Sequence, residues 1–413
     1  RSGKTGANLS STLSDPTLMK AKTLFCIAAV GVMTSVPSRA GITDGMKEGA
    51  VKLKSVSQIT FGPEGLLFIA DPLEASVYAV ATGDQKPGDS GKLKLEAFDE
   101  KLAGMLGTKA GDILINDLAV NPVSKNIYVA VSRGRGPGAI PVLARVTTKG
   151  EIEPVLLDKV LFSKAELPNP PAESASGARG NARMEAITDI SFFEDRLLIA
   201  GLSNEEFSST FRAIPFPFKK VPDGTSVEIY HGAHGKFETR SPVRTFIPFV
   251  IGEDPVLLAA YTCTPLVQIP MGDLKPGAKI KGKTIAELGN RNRPLDMITY
   301  QKGGKDFVLM ANSARGIMKI ATDNIENAEG IESKVDGGKA VGQPYETIAD
   351  WKGVTQLDKL DDAHAVVLHA AEGQPAALDE PRAFRGLCRG LHGVGVQAAA
   401  GLVSQHRPEL GAD

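Results

Sequence analysis

One unit of sequence recurs along this chain and limits what it can fold into. Its clearest copy is residues 57–80, SQITFGPEGLLFIADPLEASVYAV. This copy predicts a short strand at 58–61, a tight turn at 62–65, a buried strand at 66–70 and a third strand at 76–80. Gly and Pro favour the turn, while β-branched and aromatic residues favour the strands. A chain built of such units forms small antiparallel sheets.

The unit recurs in six segments, each with a short leading strand, a turn of breaker residues and an almost continuous apolar strand. The leading strands begin at Gln58, Asp117, Asp189, Phe246, Asp296 and Gln356. The apolar strands follow at 66–70, 126–131, 196–200, 256–260, 307–311 and 363–368. Repeats of short strands at this spacing are typical of β-propellers, in which neighbouring sheets cover each other.

The sequence therefore predicts an all-β fold over residues 41–371, a six-bladed β-propeller with short antiparallel four-stranded blades. Apolar residues at almost every position of the second strands indicate burial on both faces. The leading strands are expected to line the central channel, and residues 50–55 are placed to close the ring by adding a strand to the last blade. Residues 163–184, 219–242 and 323–342 are interpreted as long loops. The alternative is a β-sandwich or irregular all-β domains. Helical patterning is weak outside residues 98–105.

Both ends of the chain differ from the repeat. Residues 19–40 contain two lysines, a short apolar run and a small-x-small cleavage site, which predict a secretory signal peptide and a periplasmic or secreted location. The apolar run is about half of the ~20 residues that a membrane helix needs, so no membrane span is expected. Residues 1–18 are then an upstream remnant. Residues 372–413 lack lysine and β-alternation, and we interpret them as a non-propeller tail, either natural or a non-native ending.

Composition excludes one class of partner and one source of stability. The formal net charge is -1, whereas nucleic-acid affinity depends on clustered Lys and Arg, so we expect no nucleic-acid partner. Removal of the signal peptide would leave Cys263 and Cys388. These two residues offer at most one disulfide, so the apolar core must hold the fold.

Segments such as ITFGPEGLLFIAD and LINDLAVNPVSKNIYVA resemble the six-bladed propellers of the NHL-repeat and gluconolactonase/regucalcin-like superfamily. The resemblance covers roughly residues 51–370. For the regucalcin-like enzymes it implies a divalent metal in the channel, held by a Glu of the first blade with Asn and Asp of later blades. Asn116 matches one of these ligands. Gln58 stands at the Glu position, and Leu295 stands at the later Asn position.

Three aspartates form the strongest candidate constellation. Asp117, Asp189 and Asp296 are expected to begin innermost strands and to face one central pocket. Carboxylates confined together repel one another, so they need a cation or protons to coexist. Hard oxygen ligands favour Ca²⁺ or Mg²⁺. The alternative is that each Asp caps a turn and accepts hydrogen bonds from backbone amides.

Two further segments carry candidate side chains. His231 and His234, with Glu228 and Glu238 nearby, can share a metal or lie exposed on a loop. Cys263 is either a small buried hydrophobe or a ligand that lacks an identified partner. The aromatic and proline-rich run at residues 207–218 is either a partner surface or packs beneath the next blade.

These observations predict an exported β-propeller that binds a small ligand or a protein partner at its channel mouth without catalysing a reaction. The predicted ligand-binding rim is Asn116, Asp117, Glu185, Asp189, Asn204, Glu205, Arg293 and Asp296. The alternative is a divalent-metal-dependent hydrolase or lactonase, with Ca²⁺ or Mg²⁺ as the cofactor. In that enzyme Asn116, Asp117, Asp189 and Asp296 would hold the cation that polarises a substrate carbonyl. A third interpretation is a scaffold that docks partners through residues 207–218.

Overall fold

The computed structural model describes residues 41–89, 93–174, 176–177, 180–263, 265–370 and 377–379. The predicted upstream remnant and signal peptide (1–18 and 19–40) lie outside the described residues, as does most of the predicted tail (372–413). Those expectations stay predictions. Within the described part, no helix combines the length and apolarity that crossing a bilayer would need.

The described residues form thirty short β-strands and one α-helix, α1, over Phe98–Met105, as the sequence predicted. The first strands in chain order are β1 (Lys47–Gly49), β2 (Ile59–Phe61), β3 (Leu66–Asp71), β4 (Ser76–Ala81), β5 (Lys94–Leu95), β6 (Ile113–Val120), β7 (Ile127–Arg133), β8 (Ile140–Val146), β9 (Ile152–Pro154), β10 (Val160–Glu166), β11 (Ser176–Gly177), β12 (Gly180–Asn181), β13 (Asp189–Phe193), β14 (Arg196–Leu202) and β15 (Ser209–Pro215).

The remaining strands follow the same pattern of short elements and tight turns. They are β16 (Thr225–His231), β17 (Lys236–Glu238), β18 (Val243–Ile251), β19 (Asp254–Tyr261), β20 (Pro265–Pro270), β21 (Lys279–Lys281), β22 (Lys283–Leu288), β23 (Pro294–Lys302), β24 (Lys305–Asn312), β25 (Gly316–Ala321), β26 (Ala340–Gly342), β27 (Tyr345–Ile348), β28 (Val354–Lys359), β29 (Ala365–His369) and β30 (Ala377–Asp379). Short 3-10 turns lie at Pro63–Gly65, Ala110–Asp112, Gly136–Gly138, Ala182–Glu185, Met271–Asp273, Ile325–Asn327 and Asp336–Gly338.

The strands assemble into six sheets and one two-stranded hairpin, β11-β12. Written from the innermost strand outward, the sheets are sheet 1 (β2-β3-β4-β10-β1), sheet 2 (β6-β7-β8-β9), sheet 3 (β13-β14-β15-β16-β17, with β21 beside β16), sheet 4 (β18-β19-β20-β22-β26), sheet 5 (β23-β24-β25-β27) and sheet 6 (β28-β29-β30-β5). Among the described strands the pairing is antiparallel, apart from the parallel pair β16 and β21.

The second strand of each sheet is buried on both faces, which explains its continuous apolar sequence. All six residues of β3 are buried. Leu67 and Ile69 belong to a cluster shared with sheet 2, while Leu66 and Phe68 belong to a cluster shared with sheet 3. A strand covered in this way has no polar face, so period-2 alternation is absent.

Apolar clusters between neighbouring sheets connect the six sheets in a closed cycle. They lie between sheets 1 and 2, 2 and 6, 6 and 5, 5 and 4, 4 and 3, and 3 and 1. The order around the cycle is therefore 1-3-4-5-6-2, and sheets 1 and 2 are exchanged relative to their order in the sequence. This is a β-propeller arrangement of short antiparallel sheets, as predicted. Five blades, and not the predicted six, are recognised in this arrangement. Its sheets have four to six strands instead of the predicted uniform four.

Sheets 1 and 2 are exchanged because two strands, β5 and β10, pair with sheets formed by other parts of the sequence. β5 follows sheet 1 in the chain but pairs with β30 at the outer edge of sheet 6. β10 follows sheet 2 but pairs with β4 in sheet 1. The prediction that residues 50–55 close the ring is wrong, because these residues form no strand and β5 already occupies the outer edge of the last sheet.

The three predicted loops contain strands of the sheets. Residues 219–242 hold β16 and β17 of sheet 3, residues 163–184 include part of β10, and residues 323–342 end in β26. Of these strands, β17 and β26 lie at sheet edges, where one side has no partner strand and the apolar pattern is weaker. β10 and β16 each lie between two other strands. At the other end, β30 lies beyond the predicted propeller boundary at residue 371 and pairs with β29.

Replacing Phe68 tests the junction between sheets 1 and 3, which are neighbours in space and not in sequence. The Phe68 ring is fully buried and lies 5.2 Å from the Phe192 ring, centroid to centroid. We expect Phe68→Ala to lower the free energy of unfolding by about 3–5 kcal/mol, measured by urea denaturation. The control Leu156→Ala alters a side chain that is 71% exposed and should cost less than about 0.5 kcal/mol. Equal effects would contradict this packing.

Candidate functional site

One position at or beside the innermost strand is equivalent in all six sheets, and four of the six positions line a central cavity. Each position pairs with the second strand of its sheet at a matching residue: Ala70, Ala130, Ala200, Ala260, Ala311 or Leu368. The six positions are Gln58, Asp117, Asp189, Thr245, Asp296 and Gln356. The sequence alignment of the repeats is therefore right for five of them. In sheet 4 a bulge between Val243 and Thr245 places Thr245 at this position, where the sequence predicted Phe246.

The three predicted aspartates meet on the axis, as expected from the repeat. Asp117, Asp189 and Asp296 all line one central cavity of about 110 Å³. A fourth carboxylate, Asp358 of sheet 6, lines it as well. The sequence analysis missed Asp358, although it lies two residues after Gln356 and so shares that side of the strand.

Each axial carboxylate accepts a hydrogen bond from the innermost strand of a neighbouring sheet. The backbone N–H of Ile59 donates to Asp117 Oδ2 at 2.8 Å, and that of Phe246 donates to Asp189 Oδ2 at 2.8 Å. Leu357 N donates to Asp296 Oδ2 at 2.9 Å, and Val120 N donates to Asp358 Oδ2 at 2.7 Å. These bonds link sheets 2 to 1, 3 to 4, 5 to 6 and 6 to 2. The alternative of amide-bonded aspartates is the arrangement found.

Burial raises the pKa of all four axial carboxyls, because a narrow channel shields them from bulk water even where the side chain is partly accessible. The pKa of Asp189 rises to about 7 and that of Asp358 to about 6, although the amides of Phe246 and Val120 oppose both shifts. Burial, with repulsion from neighbouring carboxylates, holds the pKa values of Asp117 and Asp296 well above the usual range. At neutral pH some of these carboxyls are therefore protonated, which reduces the negative charge in the channel.

The metal ligand set implied by the regucalcin-like resemblance does not fit these residues. The side-chain amide of Asn116 donates to Val56 O and to Ser132 Oγ, both at 2.9 Å. Each axial carboxylate uses one oxygen to hold a strand, and the four do not form a group of ligand atoms within 4.8 Å of one another. Over the described ranges, one such group of His, Cys, Asp or Glu exists: His231, His234 and Cys263.

The other predicted rim residues lie outside the central cavity. Glu185 pairs with the buried Arg244 of sheet 4 at 2.8 Å, a partner that the sequence analysis did not identify. Asn204 and Glu205 are exposed between β14 and β15, and Arg293 is exposed just before β23. The predicted rim therefore combines three aspartates that line the central cavity with other side chains that do not line it.

Asn116 joins three sheets at the end of the channel where the innermost strands begin, which we call the mouth. It donates to Val56 O ahead of sheet 1, while Gln356 Nε2 of sheet 6 donates to Asn116 O at 2.9 Å. These bonds occupy the side-chain amide groups of both residues. At Asn116 the sheets are therefore joined by hydrogen bonds, and this residue has no side-chain N–H left for a ligand.

The aromatic run packs against neighbouring sheets: Phe211 is buried, and Phe216 and Phe218 are half-buried. Phe216 and Phe218 lie 5.3 and 6.0 Å from the Phe68 ring, centroid to centroid, and Phe211 lies 5.1 Å from Phe246. These rings fill the junctions of sheet 3 with sheets 1 and 4. Packing against the neighbouring sheets explains these three rings. Phe207 is half-buried, with Lys279 over its ring.

No family model and no curated protein matches this chain. Among solved structures it is similar to the PQQ-bound aldose sugar dehydrogenase of Streptomyces coelicolor, with 11% identity and a TM-score of 0.30 over 81% of this chain and 96% of that chain. It is also similar to Drosophila Plexin A in complex with Semaphorin 1b, with 11% identity and a TM-score of 0.34 over 81% of this chain and 86% of that chain. A glucose dehydrogenase matches with 12% identity and a TM-score of 0.31 over 81% of this chain and 97% of that chain. TM-scores this low carry no argument about activity or partners.

The raised pKa values predict that stability falls as pH rises. An unfolded Asp has a pKa of about 3.9, so between that pH and about 7 the folded protein holds more protons at Asp189 than the unfolded chain. The stability that protonation of Asp189 contributes is fully present below about pH 4 and is lost as the pH rises through about 7. Urea denaturation between pH 5 and 8 should show the decline, and Asp189→Asn should reduce it by about 3 kcal/mol at most.

The exposed Asp254 at the start of β19 provides the control for this measurement. Asp254→Asn should leave the pH dependence of wild type unchanged. A wild-type stability that does not fall over this pH range, or an Asp189→Asn protein with the wild-type slope, would contradict the assignment.

Proposed function

We propose that this protein is an exported six-bladed β-propeller that binds a small ligand or a protein partner at the channel mouth and catalyses no reaction itself. Export rests on the signal-peptide pattern of residues 19–40. Six blades follow if each of the six sheets counts as one, and the support is that sheet 6 lies between sheets 5 and 2 in the cycle of apolar clusters. With that sheet counted, every sheet has a neighbour on each face.

The hydrogen bonds of the axial carboxylates and the small volume between them support ligand binding at the mouth. Each one already accepts a hydrogen bond from a neighbouring strand, and the cavity they enclose is about 110 Å³. Pockets for small organic ligands are typically about 300–1,000 Å³. The channel interior therefore suits structural hydrogen bonds and leaves the mouth as the place for a ligand.

The same geometry disfavours the hydrolase alternative. That mechanism needs Asn116, Asp117, Asp189 and Asp296 to converge on one cation, whereas the amide of Asn116 and one oxygen of each aspartate have backbone or hydroxyl partners. A catalytic cation also needs an open coordination position for substrate. We therefore propose no reaction at the axis.

Charged side chains at the mouth supply the contacts for a polar ligand. Glu185 and Arg244 form a pair that is largely shielded from water, and such a pair is stronger than a surface pair. Arg293 adds an exposed guanidinium just before the innermost strand of sheet 5. These groups suit a ligand with both donor and acceptor atoms, or a polar protein surface.

A thermal-shift screen tests this proposal with sugars, sugar lactones, amino acids and polyamines as probes. We expect at least one probe to raise the melting temperature of wild type, and Arg293→Ala or Glu185→Ala to remove that shift. Glu253→Ala, an exposed change in the turn between β18 and β19 at the opposite end of these strands, should keep it. No lactone should be hydrolysed above its uncatalysed rate. Chelator-sensitive lactone hydrolysis would overturn the proposal in favour of the hydrolase.

A further inference from the structure

Three side chains from separate parts of the sequence meet beside the junction of sheets 3 and 4. His231 ends β16, His234 lies in the turn that leads to β17, and Cys263 follows β19. One ligand atom from each lies within 4.8 Å of the other two, and the imidazole ring centroids are 3.8 Å apart. This is the spacing of donors around a single metal ion.

One carboxylate orients both histidines. Glu238 Oε2 lies 3.1 Å from His231 Nδ1, and Glu238 Oε1 lies 2.6 Å from His234 Nδ1. With each Nδ1 directed at an oxygen of Glu238, each Nε2 is the nitrogen left to bind a metal.

The free nitrogen of His231 has no hydrogen-bond partner. The His231 side chain is 3% exposed, and its Nε2 is buried without a partner within hydrogen-bond distance. Leaving a buried polar atom unpaired costs free energy. A cation bound to Nε2 would satisfy it.

A buried acid next to His231 has a second unpaired atom. Glu287 is 1% exposed, and its Oε1 accepts a hydrogen bond from Gly232 N at 2.5 Å. Its Oε2 has no partner. A positive ion at the histidines would neutralise this pocket.

We propose that His231, His234 and Cys263 bind one Zn²⁺ ion, with Glu238 holding both imidazoles in position. Two nitrogens and one thiolate form a borderline-soft donor set that suits Zn²⁺ and not Ca²⁺ or Mg²⁺. The Cys263 thiol gives its proton to solvent when the Zn–S bond forms. The fourth position of the tetrahedron is left for water. Neither the aspartates of the axis nor the ligand of the mouth enters this site.

Metal titration of the full-length chain tests the site, in a Cys26→Ser, Cys388→Ser background that leaves Cys263 as the single thiol. After chelator treatment and dialysis, calorimetry should show one equivalent of Zn²⁺. Co²⁺ in place of Zn²⁺ should give a near-ultraviolet thiolate-to-cobalt charge-transfer band. Cys263→Ser should abolish that band. Both Cys263→Ser and His234→Gln should weaken Zn²⁺ binding about 100-fold or more, and Glu238→Gln about 10- to 100-fold.

The matched control is His364→Gln. His364 also pairs its Nδ1 with a carboxylate, that of Asp361 at 2.9 Å, and no metal-ligand group includes it among the described residues. This change should leave Zn²⁺ affinity and the Co²⁺ spectrum unaltered. If a ligand variant fails to fold, the spectrum of the protein with Cys263 intact still decides. The absence of saturable Zn²⁺ binding, a Co²⁺ spectrum without a thiolate band, or unchanged affinity in Cys263→Ser would overturn the proposal.

Discussion

The architecture depends on second strands that are apolar on both faces. In β24, Val308 and Met310 pack towards sheet 4, whereas Leu309 and Ala311 pack towards sheet 6. Such a strand loses apolar burial if either neighbouring sheet is missing, at roughly 25 cal/mol for each Å² exposed. Because every second strand has this character, the sheets are stable only when each lies between two others, and a closed cycle is the arrangement that leaves no apolar face uncovered.

Closing the cycle crowds four carboxylates on the axis, where Asp117, Asp189, Asp296 and Asp358 lose solvent and repel one another. Each is compensated by a backbone amide of a neighbouring innermost strand. The groups most typical of a metal or catalytic centre in the sequence are therefore used to connect sheets. This is why the mouth carries the proposed binding function, and why the proposed metal site lies at the edge of sheets 3 and 4 instead of on the axis.

Local patterns in the sequence were sufficient to predict the fold class, the second strands, helix α1 and most channel-facing positions. The sequence did not predict Thr245 at the channel, because a β-bulge shifts the register of that strand by one residue. An apolar run contains no residue type that reveals such a bulge. The order of the sheets was not predictable, since it depends on β5 and β10, short strands that pair with distant parts of the chain. The convergence of His231 and Cys263 likewise depends on which strand ends meet in space.

The order of the sheets in the ring is the central structural claim, and a pair of cross-linking experiments tests it most directly. Lys125 of sheet 2 reaches the turn of sheet 6, where its Nζ donates to Leu360 O at 3.1 Å. In a background without the native cysteines, a short bismaleimide should join Lys125→Cys to Asp362→Cys within one folded chain. It should not join Lys125→Cys to Glu194→Cys in the corresponding turn of sheet 3. The reverse result would place the sheets in sequence order and contradict this account.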